Sequence, residues 1–242
     1  MSRRAGGLPG GARPLEPVHA GTPGPDAELF VVEGESAALA VARARDRERQ
    51  GLVPMQGKPL NALRATRGRV VAHPFYRALA EALGAPLGTP LDPRTLRYGR
   101  LLILTDPDAD GIHCGVLLLG FLLHWMRPLL DAGMVAWVRA PWGVVEPAAG
   151  PARVVHSEEE LLAAVAAARA AGPVTARRFR GLAAIDEGLL RDACLVPASR
   201  RVDSIDAEAV GGMLRLLAAA EELPGPSGEP EDPLANPRAD RP

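Results

Sequence analysis

Apolar and polar positions sort this chain into short apolar runs separated by longer mixed stretches. Leu29–Val32 is an unbroken apolar run of strand length, and Arg100–Thr105 holds a second one. Short apolar runs without alternation suit strands buried on both faces, as in a parallel sheet. A helical stretch follows each, Ser36–Arg49 after the first and Ile112–Leu130 after the second. Leu52–Pro54 reads as a short edge or strand end, and Tyr76–Leu83 as a helix closed by Gly84. Gly84–Pro93, rich in proline and glycine, is a loop. After the turn Asp131-Ala132-Gly133 comes a strand, Met134–Arg139. Ser157-Glu158-Glu159-Glu160 forms a capping box for an alanine-rich helix to about Ala171, which Gly172-Pro173 stops. Asp186–Leu195 and Asp206–Leu223 are further helical runs. The order predicts an α/β fold with a mainly parallel sheet and flanking helices, plus a small helical C-terminal appendage.

Chemistry gathers where the first two runs end. Asp106-Pro107-Asp108-Ala109-Asp110-Gly111 follows one strand candidate, and Glu33-Gly34-Glu35-Ser36 follows the other. In open α/β sheets the ligand crevice lies beyond the carboxyl ends of the strands. Carboxylates there suit Mg²⁺, which takes one or two of them together with waters and phosphate oxygens. Aspartates after a strand also serve as turns and helix caps; Glu33 at a second strand end is what favours the cation. An EF-hand is excluded, because that loop needs a preceding helix and a glutamate at position twelve. Here a strand-like run precedes Asp106, and the twelfth position is Leu117.

These motifs resemble a known family. Glu33-Gly34-Glu35-Ser36-Ala37 is similar to the EGDSA signature, and Asp106–His113 to the DADVDGSHI signature, of the Toprim domain in type IIA topoisomerases. The branch resembled is the B subunits of DNA gyrase and topoisomerase IV, because Pro54–Ala62 (PMQGKPLNA) is similar to their PL(R/K)GKxLNV loop, which Toprim primases and nucleases lack. Leu8-Pro9-Gly10 is similar to the LPGKL segment leading into the domain, and Met134–Val145 to the strand ending in PPLYKV. Arg178-Phe179-Arg180-Gly181-Leu182, with Pro197 and Arg200, resembles the QRYKGLGEM…DPxxR tail. The departures are Ala38 and Leu39 for two glycines, Gln56 for a basic residue, and Ile112 for serine. In the tail, Ala183-Ala184-Ile185 replaces GEM and Val196 replaces aspartate, while no metal ligand is lost.

The resemblance implies a Rossmann-like Toprim domain over residues 28–147 and a helical appendage over 148–222. Residues 1–27 and 223–242 are Gly-, Pro- and charge-rich, too poor in apolar groups to offset ordering entropy, and are expected to be disordered tails. The chain begins where the family's ATPase and transducer regions would have ended, so it is not expected to bind ATP; ATP-dependent strand passage would be lost or supplied by an ATPase domain in trans. The implied activity is Mg²⁺-dependent cleavage and religation of duplex DNA, with a breakage-reunion (A-type) subunit supplying the tyrosine. Glu33, Asp106 and Asp108 would hold Mg²⁺, with Asp110 completing a second metal position or ordering the first through waters. Glu33 would also be the general acid and base. Lys58, Asn61, His113 and Arg180 are the implied DNA-contacting residues; for His113, a hydrogen bond to the aspartates is the other reading. Two other functions stay open, a stand-alone Toprim nuclease and a non-catalytic descendant that binds DNA or a topoisomerase.

Composition changes this picture little. The net charge of −1 does not announce a nucleic-acid binder, but positive charge is locally dense at Arg43–Arg49, Lys58–Arg69 and Arg177–Arg180. Asp46 and Glu48 interleave the first cluster, which reads as a solvated helix face. Lys58 is the only lysine, in a Gly-Lys-Pro loop where a point charge can reach a phosphate. Cys114 and Cys194 lack CxxC spacing, so neither a disulfide framework nor structural zinc is indicated. No N-terminal signal is visible, and Val116–Leu123 is far shorter than the ~20 residues of a membrane helix. It reads as a buried helix, and the cytoplasm is the expected location. Tyr76 and Tyr98 stand in no nucleophile motif, and Trp125, Trp137 and Trp142 read as core or interface residues.

Overall fold

A computed structural model describes residues 17–221, with side chains to residue 216. The chain runs β1 (Gly24–Glu33), α1 (Glu35–Ala44), β2 (Gln50–Met55), α2 (Arg67–Ala72), α3 (Pro74–Leu83), β3 (Tyr98–Leu104), α4 (Ala109–Trp125), α5 (Arg127–Asp131) and β4 (Val135–Val138). It continues through β5 (Gly143–Pro147), β6 (Arg153–Val155), α6 (Glu158–Arg169), β7 (Val174–Arg178), α7 (Glu187–Leu190), β8 (Val202–Ser204) and α8 (Ala207–Glu221). The main sheet has the order β2-β1-β3-β4-β8. Its first four strands are parallel and β8 is antiparallel, so the mainly parallel α/β fold is as expected.

Strand alternation explains the layers. Leu29 and Val31 of β1, with Leu101 and Ile103 of β3, face one core, built with α3, α4 and α5. Phe30, Val32, Leu102 and Leu104 face the other, built with α1 and the segment from Phe179 to Leu195. Leu29, Phe30, Val31 and Val32 are all fully buried. Each contributes about 1.5–3 kcal/mol relative to exposure, before the entropy of ordering it.

Several elements differ from the sequence-based expectations. Helix α1 stops at Ala44, because Arg45 turns extended and its guanidinium donates to the Gln50 carbonyl across the turn. The apolar stretch after Gly111 is two helices broken at Met126, where Pro128, with no N–H, cannot continue the α4 ladder. The short edge or strand end expected at Leu52–Pro54 is an edge strand, β2, longer than expected at six residues.

The C-terminal portion is corrected most. It is not purely helical: β6 and β7 flank β5 in a second, antiparallel sheet, and β8 closes the main sheet. Those strands are too short and too charged to register as apolar runs, and only their partners reveal them. Ordered structure also extends upstream of the expected domain start. Val18 exchanges backbone hydrogen bonds with Leu52 at 2.8 and 2.7 Å, and β1 starts at Gly24 rather than near Glu28. Of the expected tails, residues 1–16 and 223–242 lie outside the described residues.

A buried ion pair ties the end of the chain to its start. Arg200 Nη1 donates to Glu28 Oε2 at 2.7 Å and to the Leu195 carbonyl at 3.0 Å, and Nη2 donates to Glu28 Oε1. Gln50 Nε2 completes the set, donating to Glu28 Oε2 at 3.0 Å and to Leu195 O at 2.8 Å. The side chains of Arg200 and Glu28 are only 1% and 9% exposed.

Candidate cation and phosphate site

The acidic residues converge at the carboxyl edge of the parallel sheet. Glu33 ends β1, and the parity set by Leu29 and Val31 aims it towards α4. Gly34, at φ 83°, then turns the chain into α1 while its N–H donates to Met55 O at 2.8 Å, tying the ends of β1 and β2 together. Asp108 is the N-cap of α4, its Oδ1 accepting the Gly111 N–H at 2.8 Å. Gly111 is required for a reason other than backbone freedom: a Cβ there would stand 2.1 Å from the Asp106 carbonyl oxygen.

Asp106 leans towards the opposite face from Glu33, and there it meets the tail. Its Oδ1 accepts the Leu182 N–H at 2.8 Å across 76 residues. Gly181, at φ 128°, passes so close that a Cβ would lie 2.5 Å from Asp106 Oδ2. The segment Arg178–Leu182 is therefore a seat for Asp106 despite its altered motif. With Trp142 it borders a groove of about 460 Å³, whose lining includes Asp106, Asp108, Arg178 and Arg180. The Arg178 guanidinium packs over the Trp142 ring, 4.3 Å from its centroid. A groove lined by both carboxylates and arginines can hold a cation and a phosphate side by side.

The other expected residues are placed as follows. Lys58 lies beyond Gly57, whose φ of 63° turns the chain out of β2, and its Nζ sits 2.8 Å from Asp110 Oδ1. Both side chains are exposed, at 51% and 74%, so the pair is a loose tether rather than a fixed bridge. Asn61 accepts the Leu63 N–H at 3.0 Å and so serves its own turn. His113 is exposed on the first turns of α4, within electrostatic range of Asp110. Arg180 is exposed at the groove. Both tyrosines are buried, Tyr76 OH donating to Leu60 O and Tyr98 OH accepting the Ala20 N–H.

Three participants were not among the expected site residues. Cys114, fully buried in α4, places its Sγ 3.2 Å from Glu33 Oε1. Trp142 and Arg178 pair only because β5 and β7 are neighbours in the second sheet. Along the chain, Arg178 and Trp142 stood inside the resembling stretches Arg178–Leu182 and Met134–Val145, and Cys114 carried no signal.

Burial raises the Glu33 carboxyl above its ordinary range; the Cys114 hydrogen bond opposes this, and the charges of Asp106, Asp108 and Asp110 add to it. Asp106 is raised as well, by burial first and by Asp108, against the Leu182 N–H. Asp110 is lowered by its hydrogen bond and charge contact with Lys58. Burial, then the hydrogen bond and charge of Glu33, push the Cys114 thiol up to about 12, so it is a protonated donor at neutral pH.

Among the described residues, no group of three or more His, Cys, Asp or Glu side chains is gathered to hold a metal ion. The donor chemistry nonetheless fits Mg²⁺, which needs only one or two carboxylates beside waters and phosphate oxygens. Glu33 Oε2 is buried and has no hydrogen-bond partner, an atom that a cation would satisfy.

The raised Glu33 pKa yields a prediction. A carboxyl that holds its proton to higher pH when folded than when unfolded opposes folding once pH rises past its ordinary range. Glu33→Gln is therefore expected to raise the unfolding midpoint in EDTA at neutral pH. That gain should vanish as pH falls below the glutamate range, where both states are protonated. An unchanged midpoint at neutral pH would count against a strained carboxylate cluster.

No helix among the described residues is long and apolar enough to cross a membrane. Residues 28–138 match the Toprim domain family. The chain is 33% identical over 196 residues to the DNA gyrase B subunit of Enterococcus faecalis, covering 77% of this chain and 30% of that protein. It is 34% identical over 195 residues to the DNA gyrase B subunit of Haloferax volcanii, covering 79% and 30%. It is 33% identical over 193 residues to the DNA topoisomerase 4 B subunit of Pseudomonas aeruginosa, again covering 79% and 30%. The chain thus spans about 30% of the length of these relatives. Its fold is similar to that of the Plasmodium falciparum topoisomerase II DNA-binding, cleavage and re-ligation domain, with a TM-score of 0.62 at 21% identity over 78% of this chain and 26% of that one. Residues 28–138 are a Toprim domain, homologous to that of the B subunits of DNA gyrase and topoisomerase IV.

Proposed function

We propose that this chain supplies the divalent-cation half of a type IIA topoisomerase cleavage site, acting on duplex DNA with a breakage-reunion partner that carries the tyrosine. The observation that carries this reading is the Arg178–Leu182 seat on Asp106, which sets basic side chains against the acidic crevice. Glu33, Asp106 and Asp108 would hold the cation, with Asp110 beside them and Lys58 free to swing from Asp110 to a phosphate. Bound Mg²⁺ would stabilise charge on the phosphoryl oxygens and on the departing 3′ oxygen. Arg178 and Arg180 would bind flanking phosphates and orient the strand. Glu33, with its raised pKa, would give a proton to the 3′ oxygen in cleavage and take it back in religation.

The test is plasmid cleavage with Mg²⁺, chain alone and chain plus the host's breakage-reunion subunit, with Asp106→Ala and Asp108→Ala as controls. Cleavage only with the partner present, lost in both variants and leaving protein joined to a 5′ DNA end, is expected. Nicking by the chain alone would instead identify a Toprim nuclease. No cleavage in any mixture, with DNA or partner binding retained, would identify a non-catalytic descendant.

A further inference from the structure

We propose that Cys114 is a positioning residue for Glu33, its thiol holding one carboxylate oxygen so that the other is presented to a divalent cation. This rests on reading Glu33 as a cation ligand and adds a residue that the acidic motifs do not contain. Every other carboxylate of the crevice has a donor of its own: Asp106 the Leu182 N–H, Asp108 the Gly111 N–H, and Asp110 the Lys58 ammonium. For Glu33, the only side-chain donor among the described residues is Cys114 Sγ, 3.2 Å from Oε1, while Oε2 is buried and unpaired.

The sulfur has little freedom to be elsewhere. Cys114 is fully buried against the sheet. Its neighbour Gly115 lies so near Trp137 that a Cβ would meet the indole ring at 2.1 Å, which pins α4 at this height. Because Cys114 is sealed in the core, water is poorly placed to replace the thiol. Deleting the donor therefore leaves Glu33 with neither oxygen bonded and its torsions unrestrained. Partners one step removed from a metal orient the ligands in this way.

The test uses the full chain with Cys114→Ser, Cys114→Ala and Cys114→Val, and reads Mn²⁺ binding by electron paramagnetic resonance and the S–H stretch by infrared spectroscopy. Mn²⁺ suits the same oxygen ligands as Mg²⁺. The S–H band missing from Cys114→Ala identifies the thiol, and it should move to higher frequency in Glu33→Ala as the bond is lost. The Mn²⁺ dissociation constant should rise on the order of tenfold in the alanine and valine variants. In the serine variant, which keeps a donor, it should stay within about twofold of wild type. Valine fills the space without a donor, so a loss caused only by a cavity would spare it.

Equal weakening in all three variants, or wild-type affinity in alanine and valine, overturns the proposal. Wild-type affinity in Glu33→Ala would overturn the ligand assignment beneath it. Since DNA cleavage is not among the readouts, a chain that binds Mn²⁺ as expected yet never cuts DNA would defeat only the topoisomerase reading.

Discussion

Gly181→Ala is expected to reduce partner-dependent DNA cleavage by on the order of 100-fold, as a displacement of about 1 Å in a reacting group can do. Two effects act together. The backbone at φ 128° and ψ 169° lies in a region essentially reserved for glycine, so any side chain costs about 1–3 kcal/mol there. The new methyl group would also stand 2.5 Å from Asp106 Oδ2 and 3.2 Å from Oδ1, so the carboxylate must leave the Leu182 N–H. Gly172→Ala separates the two effects. Its φ is 146°, yet a Cβ there meets nothing within 4 Å. Both variants should lose stability by thermal melting, but only Gly181→Ala should lose cleavage and Mn²⁺ affinity. If Gly181→Ala cleaves as well as Gly172→Ala, the tail is not a seat for Asp106.

The largest stability loss is expected from Arg200→Ala. It leaves the Glu28 carboxylate buried with Gln50 as its one remaining side-chain donor, a situation that costs about 3–5 kcal/mol. Arg200→Lys should recover only part of this, because an ammonium cannot reproduce the fork to both Glu28 oxygens. Removing both charges, as Glu28→Gln with Arg200→Met, should be milder than Arg200→Ala alone. Urea denaturation measures all three. A loss below about 1 kcal/mol for Arg200→Ala, the range of an exposed pair, would mean that water reaches Glu28. Glu28 lies within β1, five residues before Glu33 and so about 16 Å from the crevice. Folded Arg200→Ala protein should therefore keep its Mn²⁺ affinity.

These two predictions depend on opposite sources of information. The acidic crevice was legible in the order of residues alone. Glu33 and Asp106–Asp110 follow apolar runs, Asp108 caps the next helix, and Lys58 follows a turn glycine, all signals spanning a few residues. The parallel sheet was legible for the same reason, since Leu29–Val32 and Leu101–Leu104 are apolar at every position and so had to be covered on both faces. The breaks at Arg45 and Met126 were harder, because charged residues and a long apolar stretch both continue a helical pattern past the point where the backbone turns.

The second sheet was illegible by pattern alone. Arg153–Val155 and Val174–Arg178 are short and carry arginines, and they become strands only against Gly143–Pro147. That pairing in turn delivers Arg178 to Trp142 and Gly181 to Asp106. Local sequence was enough to dictate the α/β order and the placing of acidic side chains at the strand ends, because these follow from periodicity and from which side chains stand where a strand stops. Folding of the whole chain was needed for Leu182 to grip Asp106, for Arg200 to neutralise Glu28, and for Cys114 to hold Glu33. Those partners lie 76, 172 and 81 residues apart, and a contact across such a span is set by how the entire core packs rather than by any local spacing.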